Sequence, residues 1–133
     1  MSSLLLLTGV FLVSLVTLSA SSGLGGLEPA KVDEAGVLRS AHFAMGQINK
    51  KSNALYASKM TKIINAQKQV VSGMNYYLTI ETTETECKNT GPIDDLDSCE
   101  LLDKPKKQIC EVVVNEELWM KENPRKLLDS SCQ

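Results

Sequence analysis

The chain has 133 residues, of which 43% are hydrophobic, and it carries 14 basic and 16 acidic side chains for a formal net charge of −2. This near balance, without a basic cluster, excludes nucleic-acid binding and membrane-surface binding that depend on net positive charge.

The N-terminal segment is apolar and contains no Lys, Arg, Asp or Glu before Glu28. The apolar run is short for a membrane span and is followed by small residues, which predicts a secretory signal peptide over residues 1–20, cleaved between residues 20 and 22. The absence of Lys and Arg before the run departs from a typical signal peptide. A signal anchor is the alternative, although the serine-rich end of the run suits cleavage better than retention. We therefore expect a secreted, extracellular protein of about 112 residues, with one domain and no transmembrane helix.

The segment after the predicted cleavage site changes character near residue 33. Residues 21–32 are small and rich in glycine, so we expect them to form a flexible N-terminal arm. From Asp33 onward the apolar residues recur at helical spacing, and we expect a helix with Asp33 as N-cap that ends near Ser52 and Asn53. The apolar face of this helix is formed by Val37, Ala41, Ala44, Met45 and Ile48.

The rest of the domain, which we place at residues 33–133, reads as β-structure. Alternating and β-branched segments predict strands over residues 56–71, 75–87, 109–114 and 125–132. Residues 88–107 contain prolines, a glycine and several acidic side chains, which favours an irregular, solvated insertion. One helix followed by antiparallel strands indicates an α+β domain in which one sheet packs on one helix.

The four cysteines are Cys87, Cys99, Cys110 and Cys132. An even number in a secreted chain predicts two disulfides, and of the three possible pairings the sequential one closes the shortest loops. A zinc site is disfavoured, because the chain has no Cys-x-x-Cys pair and its one histidine, His42, lies far upstream. We expect no metal and no cofactor.

The segment 69–73 is a candidate binding loop. Gln69, Val70, Val71, Ser72 and Gly73 lie between two predicted strands, so they form a hairpin tip that is apolar where most tips are polar. Apolar side chains on a tip are typically buried against a partner. The alternative is an ordinary hairpin whose valines point back into the core.

Taken together, these motifs resemble those of the type 2 cystatins. Residues 69–73 fit the Gln-x-Val-x-Gly loop of that family, Gly25 fits its N-terminal glycine, and Trp119 follows the third cysteine at the family's spacing. The resemblance covers residues 25–133. It implies a five-stranded antiparallel sheet wrapped around one long helix, with the cysteines paired in sequence order.

The resemblance also implies a function, namely reversible, tight-binding inhibition of papain-like cysteine proteases such as cathepsins. Three segments would enter the protease cleft: the arm with Leu24 and Gly25, the turn 69–73, and a second hairpin with Leu118 and Trp119. Leu118 stands where the family usually has proline, so we expect this hairpin to be more mobile. Trp119 could instead be a core residue, although the charged residues around it favour a hairpin tip.

Asn53 is a candidate second site. It follows the predicted helix, at the position where some type 2 cystatins carry an asparagine that binds legumain, an asparagine-specific protease. The alternative is a simple turn residue, because asparagine tolerates the geometry found at helix ends.

Two other classes of function are alternatives to an inhibitor. An enzyme is disfavoured, because the cysteines are expected to be paired, His42 reads as an exposed helix residue, and Asp94 and Asp95 lie in a solvated segment. A non-inhibitory secreted binding module of the same fold is the remaining alternative. We expect a monomer, and a dimer that exchanges the helix and first strand through the 69–73 hairpin is conceivable.

Overall fold

The structure is a computed structural model, and it describes residues 26–133. The predicted signal peptide and the predicted site residues Leu24 and Gly25 lie outside the described residues. Within the described part of the chain, no helix has both the length and the apolar character needed to cross a bilayer.

One helix packs on a five-stranded antiparallel sheet, which confirms the predicted fold class. The strands follow one another across the sheet in chain order. The elements are β1 (Leu27–Pro29), α1 (Ala35–Lys51), β2 (Tyr56–Val71), β3 (Gly73–Lys88), β4 (Lys107–Glu116) and β5 (Arg125–Cys132), with a single 3-10 turn at Leu96–Ser98 before β4.

Strand β1 lies in the segment that was expected to be a flexible arm. Leu27 pairs with Gln69 in the sheet, and the backbone N–H of Ala30 donates to Ala66, at 3.0 Å. Residues 27–30 are thus paired with the sheet, in a segment for which the sequence predicted a flexible arm. The edge of β2 offers free backbone donors and acceptors, and pairing with them offsets the entropy of ordering a short segment.

The helix begins one residue later than predicted. Glu34, not Asp33, is the N-cap, and neither side chain caps the helix in the usual way. The Glu34 carboxylate instead accepts the backbone N–H of Lys31 and the ammonium of Lys68 on β2, at 3.2 Å each. The start of the helix is therefore tied to the sheet by an ion pair. The helix ends as expected, with Ser52 as C-cap.

The core lies between the helix and one face of the sheet. Alternate residues of β3 and β4 point toward the helix, and their burial follows from the period of two in each strand. The helical face that meets them carries the apolar residues predicted from the sequence. The largest fully buried apolar side chains are Met45, Ile80, Val37, Val112 and Val114.

The disulfides join the cysteines in sequence order, as predicted. Cys87 pairs with Cys99 and Cys110 with Cys132. All four cysteines of the chain therefore form disulfides, so none of them is available as a metal ligand. Two disulfides fit an oxidising compartment such as the extracellular space.

Candidate functional site

The first hairpin tip is the turn between β2 and β3. Val70 is 42% exposed and Ser72 is exposed, whereas Val71 is half-buried. Gln69 is half-buried, and its side-chain oxygen accepts a hydrogen bond from the hydroxyl of Tyr77, at 3.0 Å. Val70 thus faces solvent at the tip, and the interpretation in which both valines point into the core does not hold.

Gly73 closes this turn for two physical reasons. Its φ is +85°, which glycine adopts without strain and other residues rarely adopt. A Cβ at this position would also collide with the backbone oxygen of Glu116 and lie 2.9 Å from Cγ of Glu117. The glycine therefore permits a close approach between the first hairpin and the end of β4.

The second hairpin is the loop between β4 and β5. Leu118 and Trp119 are 61% and 62% exposed, and Met120 is exposed beside them. Trp119 is thus a tip residue and not a core residue. The backbone N–H of Met120 donates to Glu117, at 3.0 Å, so residues 117–120 form a β-turn with Leu118 and Trp119 at its centre.

The two hairpin tips lie side by side at one end of the sheet. Met74, just after the first turn, pairs with Glu116, just before the second loop. The side-chain amide of Asn115 donates to the backbone oxygen of Ser72, and the Ser72 hydroxyl donates to Glu117, each at 3.3 Å. The register of the β3–β4 ladder therefore fixes both tips on the same edge of the molecule.

Strand β1 starts at this same end. Leu27 is 52% exposed and pairs with Gln69, the first residue of the first hairpin tip. Sequence reasoning missed Leu27 and Met120, although both lie within two residues of predicted site residues. The end of the sheet thus presents a row of exposed apolar side chains, formed by Leu27, Val70, Leu118, Trp119 and Met120.

Comparison with known proteins supports one family. The cystatin domain model matches residues 25–119. Cystatin-C of Bos taurus is 40% identical over 113 residues, covering 83% of this chain and 74% of that protein. Cystatin of Coturnix japonica is also 40% identical over 113 residues, which cover 83% of this chain and 94% of that protein. The chain belongs to the cystatin family. Cystatins are inhibitors that bind papain-like cysteine proteases, and they are not enzymes.

Solved cystatin structures share the fold. A crystal structure of dimeric human cystatin F superposes with a TM-score of 0.76 at 24% identity, over 87% of this chain and 92% of that one. A salivary cystatin from the soft tick Ornithodoros moubata gives a TM-score of 0.69 at 28% identity, over 82% of this chain and 97% of that one.

A cluster of ion pairs around one buried carboxylate lies at the base of the two hairpins of this cystatin. Glu116, the last residue of β4, is 4% exposed. Its carboxylate accepts two hydrogen bonds from Arg39 of the helix, at 2.9 and 3.0 Å, and one from Arg125 of β5, at 2.9 Å. Sequence reasoning missed Glu116, because a glutamate next to a predicted loop normally reads as a surface residue.

The charges of this cluster follow from its contacts. Burial opposes ionisation of Glu116, but the hydrogen bonds from Arg39 and Arg125 outweigh it and hold the pKa of the carboxyl below its ordinary value of 4.5. Nearby, burial raises the pKa of Tyr76, whose ring packs against the first turn of the helix at Gly36. Glu116 is therefore an ionised group bound by two cations.

Asn53 lies at the other end of the molecule. It is exposed in the loop after the helix, next to Tyr56, which pairs with Lys88 at the far end of the β2–β3 ladder. The backbone N–H of Asn89 donates to the backbone oxygen of Leu55, at 2.9 Å, and so braces this loop. The predicted legumain residue and the hairpin tips thus occupy opposite ends of the two longest strands.

His42 does not form a catalytic arrangement. Its side chain is half-exposed on the helix, and its Nδ1 lies 3.8 Å from the carboxylate of Asp97, which is also exposed. The position agrees with the prediction of an exposed helix residue. Because the cysteines are paired, the histidine has no thiol to activate.

Proposed function

We propose that this cystatin is secreted and inhibits papain-like cysteine proteases such as cathepsins, by inserting its hairpin end into the active-site cleft. The single observation that carries the proposal is the row of exposed apolar side chains on two adjacent hairpin tips. Such a row is unusual on a free protein surface and is typical of a docking face.

The energetics of this face favour tight, reversible binding. Each large apolar side chain contributes roughly 1.5–3 kcal/mol when it passes fully from water into a pocket. The tips belong to hairpins that a five-stranded sheet holds in place, so little conformational entropy is lost on docking. No nucleophile is needed, and the protease would be blocked without covalent chemistry.

The N-terminal arm is the third segment of the proposal. Strand β1 begins at Leu27, beside the first hairpin, and Leu24 and Gly25 precede it by two to three residues. We assign Leu24 to an apolar subsite on the non-primed side of the cleft, with Gly25 allowing the backbone to pass close to the protease. Val70 and its neighbours in the 69–73 turn would cover the catalytic residues, and Trp119 would pack on the primed side.

The test is a titration of papain with the protein and with variants of each segment. We expect stoichiometric inhibition by the parent protein. Removal of the chain through Gly25 should weaken inhibition by at least about tenfold, or 1.4 kcal/mol. Trp119→Ala should raise the dissociation rate, because it removes the largest apolar contact of the second hairpin.

Leu101→Ala is the matched control for this titration. Leu101 is an exposed leucine that pairs with Thr85, toward the far end of β3, so its removal should leave inhibition unchanged. A parent protein that leaves papain active at a micromolar excess would instead identify a non-inhibitory binding module of the same fold.

We also propose a second activity, inhibition of legumain through Asn53. The observation that favours it is an exposed asparagine on a loop that Asn89 holds through a hydrogen bond to the backbone oxygen of Leu55, since a protease specific for asparagine needs that side chain presented on an accessible, ordered loop. Titration of legumain with the parent protein tests this activity, and unaffected legumain would leave Asn53 as a simple turn residue.

A further inference from the structure

The tip of the second hairpin carries exposed apolar side chains, and the residues of the tip do not themselves fix its backbone. The loop runs from Glu117 to Pro124 and is closed by backbone hydrogen bonds from Glu117 to Pro124, at 2.7 Å, and from Met120 to Glu117, at 3.0 Å. The centre of its β-turn is Leu118-Trp119, and neither residue restricts φ as proline would. The order of this loop therefore depends on how its two ends are fixed.

Both ends of the loop are fixed by one carboxylate. Glu116 immediately precedes the loop and Arg125 immediately follows it, and the two are direct partners in the β4–β5 ladder. Nε of Arg125 donates to Oε2 of Glu116, at 2.9 Å, so a side-chain bond closes the base of the loop in addition to the ladder.

The same carboxylate connects the loop to the helix. Nε and Nη2 of Arg39 donate to the two oxygens of Glu116, at 3.0 and 2.9 Å, in a bidentate arrangement. Bidentate arginine–carboxylate pairs define orientation as well as distance. The Glu116 side chain is 3% exposed and that of Arg39 is 41% exposed, so solvent screens this contact from the arginine side only.

The backbone of Glu116 connects the loop to the first hairpin. Its carbonyl oxygen lies against Gly73, where a Cβ would not fit. One residue thus contacts the helix, both ends of the second hairpin and the turn of the first hairpin.

We infer that Glu116 is a positioning residue for protease binding: by bridging Arg39 and Arg125 it holds the loop 117–124 in its binding position beside the first hairpin before a protease arrives. This inference rests on the proposed inhibition of papain-like proteases. A loop ordered in advance does not lose that entropy on docking, so loss of the bridge should appear in the dissociation rate.

The decisive variant is Glu116→Gln, which keeps the shape of the side chain and removes its charge. We expect faster amide hydrogen exchange in residues 117–123 of the free protein and roughly tenfold faster dissociation from papain. Glu81→Gln is the matched control, since Glu81 pairs with Lys107 on β3 and β4, away from the loop, at 3.5 Å. It should change neither quantity.

A rescue variant separates positioning from general stability. Leu118 occupies the second position of the β-turn, its backbone N–H makes no hydrogen bond to another backbone group, and its φ is negative, so proline suits the site. In the Glu116→Gln background, Leu118→Pro should return loop exchange and dissociation to within about threefold of the parent. In the parent, the same change should leave loop exchange little altered, because the loop is already fixed.

The outcomes distinguish this inference from the proposed function. Unchanged loop exchange and unchanged dissociation in Glu116→Gln would overturn the inference. It would also be overturned if the variant lost binding, exchanged faster throughout the sheet and was not rescued by Leu118→Pro. If Glu116→Gln does not fold, Arg125→Gln tests the same bridge and leaves the Arg39 contact intact. If the parent does not inhibit papain, the proposed function fails, and loop exchange in the free protein alone decides whether Glu116 orders the loop.

Discussion

At the scale of single residues, Glu116 illustrates how folding gives a common side chain an uncommon role. In the unfolded chain it is a solvated carboxyl, whereas in the folded protein it is buried and bound by Arg39 and Arg125. The pKa of Glu116 is lowered from 4.5, because the hydrogen bonds from the arginines outweigh the effect of burial. A lowered folded-state pKa means that ionised Glu116 stabilises the fold above the ordinary carboxyl pKa, and that this stability is lost as the pH falls through the lowered value.

We therefore predict that the bridge persists at pH 5 and fails only in stronger acid. Glu116→Gln should lower the free energy of unfolding by about 1–3 kcal/mol at pH 7, since two arginines lose their charged partner. The difference between parent and variant should shrink as the pH falls below about 4.5. Chemical denaturation between pH 7 and pH 3 measures both quantities.

Glu34 is an internal reference for the pH dependence of unfolding in the parent and the variant. The backbone N–H of Lys31 and the ammonium of Lys68 lower the pKa of Glu34 as well, so the variant should retain part of the parent's sensitivity to acid. A pH-independent difference between parent and Glu116→Gln would mean that the charge of Glu116 is not what stabilises the fold.

At the scale of elements, the docking of the helix on the sheet depends on glycine at one position. A Cβ on Gly36 would overlap the hydroxyl end of Tyr76, a buried residue of β3. Gly46, in the same helix, has no described atom other than those of its chain neighbours and the nearby helix backbone within 4 Å of the position of a Cβ. The two glycines thus differ in packing while sharing the low helix propensity of their residue type.

We predict opposite effects for the two substitutions. Gly36→Ala should destabilise the protein by about 1–3 kcal/mol, because overlap with Tyr76 outweighs the gain in helix propensity. Gly46→Ala should stabilise it by roughly 0.5–1 kcal/mol, because only the gain applies. Thermal unfolding of both variants gives the comparison, and a stabilising Gly36→Ala would show that the helix is not seated as described.

The elements differ in how far the sequence predicted them. Strands β2 and β5 have the predicted bounds, and β3 and β4 are longer than predicted by one or two residues at each end. Period and turn residues mark these segments locally. Strand β1 was missed, because its three residues become a strand only through the free edge of β2.

At the scale of the whole molecule, the two proposed sites are separated by the length of the β2–β3 hairpin. Asn53 precedes the start of β2, whereas Val70 and the second hairpin lie where β2 ends. A papain-like protease and legumain would therefore contact different surfaces.

We predict that Asn53→Lys abolishes legumain inhibition and leaves papain inhibition within about twofold, because the substituted side chain is remote from the hairpin tips. Asn65→Lys, on the exposed face of β2, is a matched control that should affect neither activity. Inhibition constants for both proteases, measured alone and with the other protease present, check the prediction. Loss of papain inhibition in Asn53→Lys would contradict the separation of the sites.

The sequence by itself determined the local features of this protein: the helix, the bounds of most strands, the apolar 69–73 turn and the even number of cysteines. Each of these is specified by neighbouring side chains, through a periodic pattern or a turn residue. The tertiary structure alone decided which distant groups meet, including the addition of β1 to the sheet, the adjacency of the two hairpin tips and the ionised state of Glu116. The partners of Glu116 are Arg39, 77 residues away in the chain, and Arg125, nine residues away, and no local pattern encodes such a meeting.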